Sequence, residues 1–200
     1  MLASIVPLVE RARNQNWGLT VAAYVVGSVV GGALLGATSG LLGAIVLGHG
    51  GVDRPGVLVT LALSAAIGAT IDLGVAGLRV PTVRRQVNED WLHRYRGWVY
   101  GLGFGVQLGV GVVTIVTSAI VYLVLVLAFL TASWPGAAVI GGVFGLARAL
   151  PIVATAGIAT PARLREFHRR MQRRASLASR ATVGVQGAVA ALAVALVVKP

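Results

Sequence analysis

Five long apolar stretches, separated by short segments rich in arginine and glycine, dominate this chain. Trp17 to Gly48 and Trp98 to Trp134 carry no charge at all. Val57 to Leu78 is interrupted only by Asp72, Gly136 to Ala159 only by Arg148 and Pro151, and Ala181 to Val198 closes the series. A helix rising about 1.5 Å per residue needs about 20 apolar residues to cross roughly 30 Å of hydrocarbon. The pattern therefore predicts an all-α, polytopic transmembrane bundle of about five spans. The last run gives about 27 Å of helix, enough to cross. The first and third runs are longer than one crossing needs, and each is expected to be one long tilted or kinked helix, with re-entrant halves as the alternative.

The chain divides accordingly. Residues 1–16 form an N-terminal segment whose apolar patch is too short to span and lacks the features of a signal peptide, which suggests an interfacial anchor. Residues 17–80 hold the first helix pair, 81–97 a basic cytoplasmic loop helix, 98–160 the second pair, 161–180 a basic amphipathic cytoplasmic helix, and 181–200 the last span. The two basic segments show helical spacing of apolar side chains: Val83, Val87, Trp91 and Tyr95 in one, Leu164, Phe167 and Met171 in the other. Helices lying on the membrane surface have this pattern. The second opens with Thr160–Pro161, a cap followed by proline at the first helical position.

Composition agrees with a membrane protein. Of 200 residues, 56% are hydrophobic and 12% charged, mean hydropathy is +0.85, and the 27 glycines sit mostly inside apolar runs rather than in polar linkers. The absence of cysteine excludes thiolate nucleophiles, dithiol relays and iron–sulfur clusters. The net charge of +11 would raise the question of nucleic acid in a soluble chain, but the position of the arginines argues against it. With five spans, Arg11 and Arg13, the five arginines from Arg79 to Arg96 and the seven from Arg163 to Arg180 all fall on one side. The positive-inside bias then places this multi-pass protein in the cell inner membrane with a cytoplasmic N-terminus, its basic loops against anionic headgroups.

A shift of 80 residues aligns Pro55–Gly56 with Pro135–Gly136, Ala76–Gly77 with Ala156–Gly157, Pro81 with Pro161 and Arg85 with Arg165. It reads as a two-helix internal repeat, its copies parallel about an axis along the membrane normal, followed by a lone fifth helix. Gly32, Gly36 and Gly40 in the first run, and Gly101, Gly105 and Gly109 in the third, make small-residue stripes. In lipid such stripes let helix backbones approach closely, which puts these two helices at the bundle centre.

Polar residues within the runs are the site candidates. A charge at the bilayer centre costs about 2.5–3.5 kcal/mol on insertion scales, so it faces a cavity or a partner. In the repeat alignment Asp72 matches Ile152, one turn from Arg148, so their depths differ by about 6 Å and an Asp72–Arg148 ion pair is expected. It reads either as a structural clamp or as a solute-binding or coupling site, with Gln107 and Gln186, at matching places in the third and fifth runs, as further members. No catalytic residue, metal site or cofactor is expected: the three histidines lack zinc-helix spacing, and Gly101–Gly105 lacks the third glycine of a dinucleotide loop.

The stretch GLGFGVQLGVGVVTIVTSAIVYL (Gly101 to Leu123), with VFGLARALP (Val143 to Pro151), resembles the glycine-rich core helices of the DsbD/CcdA-like membrane proteins, grouped with LysE-type exporters. The resemblance covers roughly 60 residues and implies a six-helix inverted repeat with a cysteine pair in each half of the redox branch. This chain has no thiols, so only an exporter-like or non-catalytic version of that scaffold fits. The first functional expectation is a small-solute transporter or exporter, its cargo a small anion at Arg148. The alternative is a non-catalytic membrane subunit or scaffold that docks a membrane or cytoplasmic protein partner. An exposed small-residue face around a solid core would favour the subunit.

Overall fold

A computed structural model of the chain describes residues 5–48, 53–77, 80, 95–111, 116 and 118–198. Among these residues there are seven α-helices: α1 (Pro7–Ala12), α2 (Trp17–Leu47), α3 (Arg54–Asp72), α4 (Gly97–Val110), α5 (Ile120–Leu130), α6 (Trp134–Ala149) and α7 (Pro161–Val198), with 3-10 turns at Val75–Gly77 and Leu150–Thr155. Among the described residues four helical stretches are long and apolar enough to cross a membrane: Trp17–Leu47, Arg54–Asp72, Trp134–Thr155 and Pro161–Val198.

Local chemistry sets the helix starts. The Asn16 side chain caps α2, accepting a hydrogen bond from the Leu19 amide at 3.2 Å. Pro55 and Pro135 open α3 and α6, where the missing N–H costs nothing. These form one of the two proline pairs that the 80-residue shift aligns. The first run is one continuous helix of 31 residues, about 46 Å long, so it can span only with tilt or overhang.

The third run behaves differently. It is two short helices, α4 and α5, separated by Gly111–Ala119, rather than one kinked span. The last two expected segments also differ from expectation. The basic stretch 161–180 and the apolar stretch 181–198 are one uninterrupted helix, so the basic part continues straight as an arm about 30 Å long instead of forming a separate surface helix. The expected helix at 81–97 lies outside the described residues except for its last three positions.

Glycine contacts on α2 organise the packing. A Cβ added at Gly101, Gly105 or Gly109 would land on the carbonyls of Thr20, Tyr24 and Ser28 respectively, so α4 runs parallel to the first half of α2. A Cβ at Gly32, Gly36 or Gly40 would instead collide with Gly141, Ala137 and Ser133, so α6 runs antiparallel along the same helix. The two stripes thus serve different interfaces and meet only where Gly109 lies against Gly32. Because α2 and α4 start at the same end, the chain returns to that end between them.

Helix α3 packs on α7 and α5, while α6 packs on α2, so the aligned helices α3 and α6 have different neighbours. At the basic end, Ile5, Val21, Tyr24, Tyr100, Phe104, Ala149 and Ile152 form one buried cluster. The N-terminal segment belongs to it: Ile5 and Val6 are buried, and the Leu8 amide bonds to the Ile158 carbonyl at 3.2 Å. It is docked against the bundle.

Gly36→Ala is expected to destabilise the fold by about 1–3 kcal/mol, because a backbone carbonyl cannot yield as a side chain does. Gly184→Ala, where nothing lies within 4 Å, should leave stability equal or slightly higher. Denaturant unfolding of both variants in one detergent compares them directly.

Candidate functional site at the helix break

The interruption of the third run lies beside the middle of α2, since Gly109 rests against Ser28 and Gly32. The first amides of α5 and the last carbonyls of α4 have no partner within their own helices, and inside a membrane such groups need protein partners. Both candidate charges stand at this point. Helix α4 terminates at Gly111, whose φ of +67° falls in the left-handed region that favours glycine. A Cβ there would sit 2.9 Å from a guanidinium nitrogen of Arg148, whose guanidinium also lies 5.5 Å from the centre of the Phe144 ring. The cation is thus held against the carbonyl end of α4, the negative end of its dipole.

Asp72, the last residue of α3, serves the opposite terminus. Its carboxylate accepts hydrogen bonds from the Ala119 amide at 2.9 Å, the Ser118 hydroxyl at 2.7 Å and the Gln186 side-chain amide at 2.9 Å. Ser118 in turn accepts from the Ile120 amide at 3.2 Å. Asp72 therefore caps α5 from a different helix, placing an anion at the positive end of the α5 dipole.

The expected Asp72–Arg148 ion pair does not form. The two ion pairs among the described residues are both on the arm, Glu166 with Arg169 at 3.2 Å and with Arg170 at 3.0 Å. Each candidate charge stands instead at one end of the broken helix, which one continuous span would not have had. Gln186 is fully buried beside Gly68 and joins Asp72, and its side-chain oxygen has no hydrogen-bond partner among the described residues. Gln107 is half-buried on α4 and takes no part in the hydrogen bonds at the break among the described residues. Two apolar clefts of ≈ 300 and ≈ 350 Å³ lie along α3 and α5, and neither is lined by Asp72 or Arg148.

A second polar cluster was not anticipated. Glu10 is fully buried and accepts hydrogen bonds from Thr20 at 2.8 Å and from the Tyr100 hydroxyl, while the Gln15 side chain accepts from the Gly97 amide at 2.9 Å. These bonds tie α1 and the turn after it to the starts of α2 and α4. In sequence Glu10 stands next to Arg11 and Arg13, which reads as ordinary charge compensation. The only warning is that it is the sole acid before Asp53.

The fold and this site define a class: a helical membrane protein whose buried polar groups hold helix ends and junctions together. Comparison with known proteins narrows the class. The chain is 29% identical to the methylamine utilization protein MauF of Paracoccus versutus over 177 residues, covering 88% of this chain and 64% of that one. It is 31% identical to MauF of Paracoccus denitrificans over 175 residues, 86% and 62% of the two chains, and 33% identical to MauF of Methylorubrum extorquens over 129 residues, 64% and 43%. The chain spans less than two thirds of the length of these relatives. No family model matches, and no solved structure matches. The resemblance to DsbD/CcdA-like proteins and LysE-type exporters is thereby corrected: the relatives carry the MauF name, and the glycine-rich stretches behind that resemblance reflect helix packing.

Asp72→Ala strands three donors at once, and at about 1–3 kcal/mol for each buried polar group it should cost more than Ser118→Ala, which removes one of those donors and strands the Ile120 amide alone. Asp72→Asn keeps an acceptor oxygen but loses the charge, and should fall between them. Unfolding midpoints of the three variants give the order; a neutral Asp72→Ala would contradict the capping role.

Proposed function

We propose that this chain is a non-catalytic membrane subunit serving methylamine utilization, which docks a partner protein rather than carrying a solute. The relatives' name supplies the process, and no transport activity appears in it. The observation that carries the reading is the α7 arm. Residues 161–180 hold seven arginines, every one of them exposed. Glu166 is the one acid on the arm; the hydrogen bond from Arg170, helped by the nearby Arg169 and Arg173 charges, holds its carboxyl below the usual range. It therefore stays ionised at neutral pH, loses that interaction only as pH falls through the lowered value, and offsets little of the arm's charge.

By contrast, the charges expected to bind a solute are occupied by the protein itself, Asp72 by three donors and Arg148 at the end of α4. A carboxylate so engaged has little left to offer a cargo. The proposal includes an inner-membrane location with the N-terminus and the arginine arm in the cytoplasm, following the charge bias.

In the native host, deletion of the chain should abolish growth on methylamine, restored by the wild-type copy, without lowering the initial rate of labelled methylamine uptake. A matching fall in uptake, with the protein otherwise folded, would return the transporter to first place.

A further inference from the structure

Two exposed features of α7 coincide on one face. At about 100° per residue, Arg163, Arg170, Arg173, Arg174 and Arg180 fall within a sector of about 120° around the helix. Ala181, Gly184, Ala188, Ala191 and Ala195 continue that sector through the apolar half, and all ten positions are exposed. A Cβ added at Gly184 meets nothing within 4 Å. The opposite side of the same helix is the packed one, where Gln186 and Ala193 are buried.

We infer that this face binds the transmembrane helix of a different protein, one that carries small residues in the membrane and an acidic segment directly on its cytoplasmic side. The inference rests on the subunit reading above and gives the partner its chemistry. A small-residue face gains little from lipid, whereas against another helix it permits close backbone contact. Charge then selects among helices. A second copy packed in parallel on this face would set arginine against arginine, a juxtaposition that costs affinity, while an acidic segment is complementary along the whole arm. Headgroups alone do not account for the arm's reach. Arg163 lies about 25 Å along the helix from Arg180, beyond a headgroup layer of about 5–8 Å.

The test uses the full chain in phosphatidylcholine vesicles, which carry no net charge, with labelled single-span peptides bearing a small-residue stripe and either a glutamate-rich or a lysine-rich cytoplasmic tail. Energy transfer should report at least about tenfold tighter binding of the glutamate-tailed peptide, an advantage that shrinks as salt is raised. Arg170→Glu, Arg173→Glu and Arg174→Glu together should invert the preference, and Gly184→Leu with Ala188→Leu should weaken both peptides. Equal binding of the two tails, a preference that survives charge reversal, or pairing of this chain with itself through Gly184 would overturn the inference. If growth on methylamine needs the chain but the tails bind alike, only the partner's chemistry is wrong. If growth does not need it, the subunit reading fails whatever the peptides do.

Discussion

Close backbone approach along α2 is the constraint from which the rest of the structure follows. Lipid tails are as apolar as leucine, so helices inside a membrane gain little from burying side chains and associate where their surfaces fit. On α2 that fit comes from glycine. Gly32, Gly36 and Gly40 leave room for α6, and the glycines of α4 leave room for α2 itself. Ser28 stands where the three helices meet, and its hydroxyl donates to the Gly145 carbonyl at 2.7 Å. Any side chain at these crossings would have to displace a backbone, which is why the glycines matter more here than the leucines around them.

With α2, α4 and α6 so placed, the break in the third run brings the charged residues into the core. A helix that stops inside a membrane exposes groups that water would satisfy elsewhere. Asp72 takes over that task at the start of α5 and the Arg148 guanidinium lies at the end of α4, each matched in sign to the helix dipole it meets. Glu10 does related work nearer the basic end, joining α1, α2 and α4 through Thr20 and Tyr100. Three of the charged residues inside or against the bundle thus stand at helix termini and junctions, while among the described residues α7 presents seven exposed arginines.

That division shapes the functional reading. The core is committed to itself, the clefts along α3 and α5 are apolar, and the most conspicuous unsatisfied chemistry lies on the arginine arm and the small-residue face continuous with it. The relatives that the chain matches carry the name methylamine utilization protein MauF.

Periodicity and charge alone determined the helical, membrane-spanning character, the identity of the packing glycines and the prominence of Asp72 and Arg148, because a bilayer imposes length, apolarity and cost on every segment that enters it. The break was only partly legible. Val112 to Thr117 is an unbroken run of β-branched residues, poor helix formers, set between Gly111 and Ser118. Hydropathy cannot register this, since those residues are as apolar as a continuous helix requires. Which partner each charge takes was decided in three dimensions, because Asp72 and Ala119, or Arg148 and Gly111, are distant in sequence and meet only once the glycine contacts have set the helices in place. The continuity of α7 was masked by composition. The change from basic to apolar at residue 180 looks like a boundary in composition, yet its helix-forming residues carry the backbone hydrogen bonds across it without a break.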